Sequence, residues 1–306
     1  MHIAGTIIPI FSIVIIGWVI RLKGFIPPEF LGPANRLVFY IAIPAMIFRA
    51  VSKASFKAQF NLTVLLITLF SVLVVFVLSW IAGRAAKIGR NNLGTFIQAS
   101  VHGNLGYIGL AVAYYHMGQD GFVKAGIIGG FVMILQNFLA VTALVLFNRD
   151  VHFKENSLFF IHKVFGNPVI LSAMAGILFS VAEVPVPDVL GRILDILGGL
   201  SLPMALLVIG ASLSFEVMRL SIFSVLSTSL FKLMVLPCMG YVLYIIYGIS
   251  SDEYLPGLIL LASPTATIAY IMAKEMNGNA DFAVAAISSS TLISALTFLI
   301  WLNIAS

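Results

Sequence analysis

The apolar body of this chain holds very few side chains able to carry a charge or move a proton, and those few bound its chemistry. Lys232 stands near the middle of a long apolar stretch, where a bilayer charges a lysine about 2.5–3.5 kcal/mol for insertion. One reading makes it a charge that attracts a carboxylate or stands in for a coupling cation. The other has it snorkel to water or bond backbone carbonyls. His102 belongs to the residue type whose charge changes near neutral pH, so it can carry a coupling proton. The alternative is a neutral core histidine with its hydrogen bonds made. Asn104 offers an amide donor and a carbonyl acceptor within Gly103-Asn104-Leu105-Gly106-Tyr107-Ile108-Gly109. Ser263, Pro264, Thr265 and Thr267 form a second polar, helix-breaking cluster in an apolar setting. Gln98, Gln136, Asn137 and the run Ser288-Ser289-Ser290-Thr291 add neutral hydrogen-bonding groups, whose common use in membranes is to join helices.

Missing residues narrow the field further. No Asp or Glu lies inside the apolar stretches holding these groups, away from their ends, and exchange of sodium for protons normally needs a buried carboxylate. The zinc-protease, nucleophile-elbow and phosphate-loop patterns are absent, and a single cysteine, Cys238, makes neither a paired-cysteine metal site nor an intrachain disulfide. An enzyme, an ATP-driven pump, a metal site and a bound cofactor are therefore not expected.

The elements that must position these residues follow from composition. Hydrophobic residues make up 60% of the chain and charged residues 9%, where soluble domains carry roughly 25% charged. A spanning helix takes about 20 mostly apolar residues, because the hydrocarbon core offers no water to backbone groups. Ten such segments can be placed, at 3–22, 33–52, 61–83, 92–117, 122–147, 166–183, 189–213, 219–248, 253–275 and 280–304. The first does not read as a cleaved signal, since no basic residue precedes it while Arg21 and Lys23 follow. The net charge of +5 reads as topology, and no nucleic-acid partner is expected. Alternate loops place Arg21, Lys23, Arg36, Arg84, Lys87, Arg90, Arg149, Lys154, Lys163, Arg219 and Lys274 on one side. The other side takes Arg49, Lys53, Lys57, Lys124 and Arg192. Basic residues mark the cytoplasmic face, so both termini are expected outside the cytosol.

The second half of the chain repeats the first. Pro9, Pro28 and Pro44 recur 159 residues later as Pro168, Pro187 and Pro203, where chance supplies about 0.2 such pairs at one offset. Pro28-Glu29-Phe30-Leu31-Gly32 matches Pro187-Asp188-Val189-Leu190-Gly191, and Gly17 matches Gly176. Further on the offset becomes 160, pairing Gly118 with Gly278 and Asn104 with Pro264. Five segments per unit is an odd number, so the second unit crosses in the opposite sense, the inverted repeat of many secondary transporters. Segments four and nine are each broken, by glycine and asparagine in one and proline in the other, which disfavour helix. Breaks at equivalent places in both halves point to a binding site there, with half-helix ends and freed backbone groups available to a small polar ligand.

Asn35 through Phe48, Gly103 through Gly109, and Pro264 through Ala273-Lys274-Glu275, in that order and spacing, resemble the auxin efflux carrier family, which includes bacterial permeases and the plant PIN carriers. The resemblance runs along nearly the whole chain. It implies an all-α membrane protein of ten transmembrane helices, a 5+5 inverted repeat with broken, crossing helices four and nine, as in bile-acid symporters and sodium/proton antiporters. Residues 1–148 and 166–306 would be the two repeats, joined by a polar cytoplasmic linker at 149–165. Helices 1, 2, 6 and 7 would form a scaffold that dimerises, and helices 3–5 and 8–10 a moving transport core. The implied activity is alternating-access, elevator-type transport of a small organic anion, a carboxylate such as malate, malonate or auxin, across the cell membrane, an inner membrane in bacteria. A proton or sodium ion is the candidate coupling partner. Binding falls to His102, Gly103, Asn104, Ser263, Pro264, Thr265, Thr267 and Lys232. Plant carriers combine proline and asparagine at the crossover, whereas segment four here has asparagine without proline and segment nine proline without asparagine, which puts auxin itself in doubt. The competing readings are a sodium-coupled symporter of the bile-acid type and a ligand-binding membrane sensor.

Overall fold

Leucine, isoleucine, valine and phenylalanine dominate runs of twenty or more residues, and such runs can satisfy their backbone in lipid only as helices. The computed structural model of the chain describes residues 3–147, 166–214 and 222–305 and is helical throughout, with no strand among the described residues. Along the chain run α1 (Ile3–Leu22), α2 (Pro28–Lys53), α3 (Leu62–Ala85), α4 (Arg90–Val101), α5 (Leu105–Phe147), α6 (Pro168–Val181), α7 (Asp188–Ala211), α8 (Val225–Ile246), α9 (Ser251–Ala262), α10 (Ile268–Glu275) and α11 (Ala280–Ala305). The expected linker at 149–165 lies outside the described residues, as do Arg219 and Ser306.

Seven of these helices, α1, α2, α3, α5, α7, α8 and α11, are long and apolar enough to cross a membrane. The difference from ten segments has local causes. Segment four is split between α4 and the start of α5, and segment nine between α9 and α10, leaving pieces of 12 and 8 residues in the latter. Segment six is a 14-residue helix, α6. Segments four and five merge in α5, whose 43 residues would reach about 65 Å as a straight rod, roughly twice the hydrocarbon thickness. Gly118, at φ 69°, breaks that rod, a left-handed conformation glycine adopts without penalty.

Packing pairs α1 with α7 and α2 with α6. The first pair approaches backbone to backbone. A Cβ on Gly210 would overlap the Val14 carbonyl, and one on Gly17 the Leu207 carbonyl. Small residues at helix crossings supply van der Waals contact where lipid gives no hydrophobic drive. Leu62–Ala85 and the helices of the second half enclose a polar interior in which Thr68, Ser71, Ser100, Ser263, Ser290 and Thr291 are almost wholly buried. Several hydroxyls there return their protons to carbonyls of the preceding turn, as Ser100 does to Phe96 and Ser71 to Ile67.

Candidate functional site

The two breaks meet. After Val101 the chain leaves the helix, and Asn104 sits at φ −77°, ψ 66° before helix resumes at Leu105. In the other half the chain leaves helix after Ala262 and resumes at Ile268. Gly103 and Thr265 form an isolated antiparallel bridge. Asn104 N donates to the Pro264 carbonyl at 2.7 Å, and Ala266 N to the His102 carbonyl at 2.8 Å. Asn104 and Pro264, 160 residues apart in the sequence, are therefore hydrogen-bonded neighbours. Proline, unable to donate, keeps its carbonyl for Asn104.

A network of buried polar groups lies behind this junction. Thr265 N donates to Ser290 Oγ at 3.0 Å, and Thr265 Oγ1 to the Ala99 carbonyl at 2.9 Å. Gln136 Oε1 accepts from Gly103 N at 3.2 Å. Lys232, wholly buried, donates to the Leu261 carbonyl at 2.7 Å. That carbonyl belongs to the last turn of α9, whose C-terminal end carries partial negative charge, so the ammonium caps it. Backbone groups freed by the breaks are thus largely consumed by protein partners. They do not stand open to a ligand, because a buried unpaired amide or carbonyl would cost more than the local turn.

In front of the junction lies a cavity of about 460 Å³. Its walls include His102, Gly103, Asn104 and Thr267. Ser263, Pro264, Thr265 and Lys232 are not among its lining residues and stand behind it. Both helix N-termini at the junction, Leu105 of α5 and Ile268 of α10, face the cavity, and helix N-termini favour anions. Asn104 is 5% exposed and its Nδ2 has no hydrogen-bond partner, although buried donors are ordinarily paired. Asn104 thus lines the cavity between the two helix ends, while its Nδ2 is buried without a partner rather than exposed to the cavity.

Sequence reasoning misses the opposite wall, made by one face of α2. Gly32, Asn35, Arg36, Phe39, Tyr40 and Ile43 line it at helical spacing, a pattern of three and four that was there to be read. Arg36 forms no ion pair among the described residues. Tyr107, from the start of α5, donates to Asn35 Oδ1 and so ties the break to this wall. Glu275, at the end of α10, is the acidic member of the lining.

Comparisons with known proteins agree with a membrane assignment. The family model described as membrane transport protein matches residues 2–302. A protein of Rhizobium meliloti named "Putative malonate transporter" is 25% identical over 97% of this chain and 93% of its own length. Proteins named as uncharacterized transporters are 22% identical in Methanothermobacter thermautotrophicus, over 97% of this chain and 96% of theirs, and 23% identical in Methanocaldococcus jannaschii, over 94% of each.

Proposed function

The chain belongs to the membrane transport protein family, the auxin efflux carriers, and on that premise we propose that it is a secondary transporter of a small organic anion. The observation that carries the anion is a cavity whose wall joins two helix N-termini, Arg36 and Asn104, whose buried Nδ2 has no protein partner, against one acid, Glu275. A carboxylate there would accept the amide proton, meet the partial positive charge of both helix ends and find a guanidinium across the cavity. Of the named relatives, the malonate transporter name supports a short carboxylate as cargo.

The reading extends to architecture and movement. Ten crossings in two inverted units, residues 1–148 and 166–306 with the joining segment between, are supported by the packing. Under exchange of the units, the α1–α7 contact becomes the α6–α2 contact, and both are present. Helices α1, α2, α6 and α7 would be the fixed scaffold and site of dimerisation, against which the junction slides, with both termini extracytoplasmic. His102 and Thr267 line the cavity and would complete the hydrogen bonds to the anion. Reconstituted protein tests this. Radiolabelled malonate, malate and indole-acetate are offered to proteoliposomes with sodium and pH gradients imposed separately. Saturable uptake of at least one acid, lost in Asn104→Ala, is expected. Uptake equal in Asn104→Ala and wild type would move the site elsewhere.

A further inference from the structure

A second cavity, of about 590 Å³, lies along the other half of α2, with Met46, Arg49 and Lys53 in its wall. Ile43 belongs to the first cavity and Met46 to the second. Three residues of helix separate them, a rise of about 4.5 Å. The two cavities therefore approach each other along one helix, one toward each of its ends. Resting on the transport reading above, we propose that the second cavity is a second anion subsite on the same path, where Arg49 and Lys53 receive a carboxylate at the other membrane face.

Charge and geometry both favour an anion there. Arg49 Nε donates to the two oxygens of Asp195 at 3.1 and 3.2 Å, and Lys53 Nζ lies 3.7 Å from Asp195 Oδ2. Two cations thus share one carboxylate. The other acid in the wall, Asp120, is already met by Lys124 at 2.9 Å and by Gln59 Nε2 at 2.5 Å. Three cations against two carboxylates leave one positive charge uncompensated. Arg49 makes its bonds through Nε alone, so Nη1 and Nη2 donate to no acceptor among the described residues. Its side chain is only 17% exposed, so the unused edge of the fork is held at the cavity wall. Gly191 makes that placement possible, since a Cβ there would lie 2.7 Å from Nη2. A guanidinium fixed along one edge presents a planar pair of donors matched to a carboxylate. Asp195 both orients Arg49 and competes with the incoming anion for it.

Equilibrium binding of radiolabelled malonate to the full-length protein in detergent tests the subsite. Asn104→Ala should weaken binding in the first cavity and leave a second, saturable component. Adding Arg49→Gln should weaken that component about tenfold or more, the loss of one charge-assisted hydrogen bond from a side chain only 17% exposed. Arg49→Lys should lose less, and Asp195→Asn, which frees the fork, should tighten it. Thermal stability of each variant shows that it is folded. No saturable component in folded Asn104→Ala, or one unchanged by Arg49→Gln, overturns the subsite. Wild-type malonate uptake separates the two ideas. Uptake without the second component sinks the subsite alone, whereas an Arg49-dependent component without uptake of any acid sinks the transporter reading.

Discussion

Replacing Lys232 with methionine should weaken anion binding while leaving the fold at least as stable. The side chain is wholly buried, and its Nζ would lie 3.2 Å from a Cβ placed on Gly103, a residue of the cavity wall. Its charge therefore acts through one thickness of backbone. For an anion roughly 8 Å away, at an effective dielectric of about 20, the attraction is about 2 kcal/mol, or roughly thirtyfold in affinity. On the stability side, the variant orphans the Leu261 carbonyl, which costs about 1–3 kcal/mol. It also removes an unpaired buried cation, whose desolvation is worth several kcal/mol, and this second effect is the larger. Lys232→Arg keeps the charge but must fit more atoms where Cε already lies 3.1 Å from the Gly103 Cβ position. It should bind well and melt lower, by about 1–3 kcal/mol of overpacking. Isothermal calorimetry with malonate and with its uncharged diamide, beside thermal unfolding, reads all of this. Lys232→Met that binds malonate as wild type does would refute the electrostatic role and leave only the helix cap. An equal loss for acid and diamide would show that the junction itself had shifted.

Asn104→Ala should reduce carboxylate affinity about 10- to 150-fold, the worth of a charge-assisted hydrogen bond, with little change in thermal stability, because its Nδ2 bonds no protein group; lowered stability with normal uptake per folded molecule would reverse the assignment. Pro264→Ala should let α9 and α10 run together and cut uptake, which circular dichroism and flux measure side by side. Gly210→Ala should destabilise the protein by at least about 1–3 kcal/mol through overpacking, since the added methyl meets the Val14 carbonyl, and unchanged unfolding would show that α1 and α7 part freely. Cysteines placed at Lys154 and Ser306 should label from the cytosolic and the opposite side respectively, and cytosolic labelling at Ser306 would overturn the inverted topology.

How far the chain could be read depended on what local sequence controls. Glycine and proline act on the backbone where they stand, so Gly103, Gly106 and Pro264 announced the breaks directly, and the 160-residue offset between Asn104 and Pro264 suggested that the breaks correspond. Helix lengths were legible only in part, since ten expected segments became seven long apolar helices, with the others split or short. Lys232 was visible as a costly residue, but its partner was not, because the Leu261 carbonyl becomes available only once Pro264 stops α9 and α8 packs beside it. The α2 wall was hidden differently. Its cavity face repeats at helical spacing, yet Phe39, Tyr40 and Ile43 are as apolar as lipid-facing residues, and composition cannot say which face looks inward. Arg49 and Asp195, 146 positions apart, meet only through the packing of α2 against α7.

The placement of Lys232 also says how the junction's own helix ends can favour an anion. Four helix ends converge there, and they are not equivalent. The C-terminal ends, of α4 and α9, turn to the rear, where Lys232 donates to Leu261 and Thr265 Oγ1 donates to Ala99. Those donors neutralise the partial negative charge that helix C-termini carry. The N-terminal ends, of α5 and α10, line the cavity together with Asn104, whose Nδ2 has no protein partner. Backbone pairing between Gly103 and Thr265 holds the two sets apart. Beside the charges of Lys232, Arg36 and Glu275, the helix ends add a positive contribution at the modest scale of about 0.3–1 kcal/mol each. An arrangement of that strength would bind the proposed anion without trapping it. Release then needs only the loss of Asn104 and of Arg36, which sit on opposite walls and would separate if the junction slid along α2.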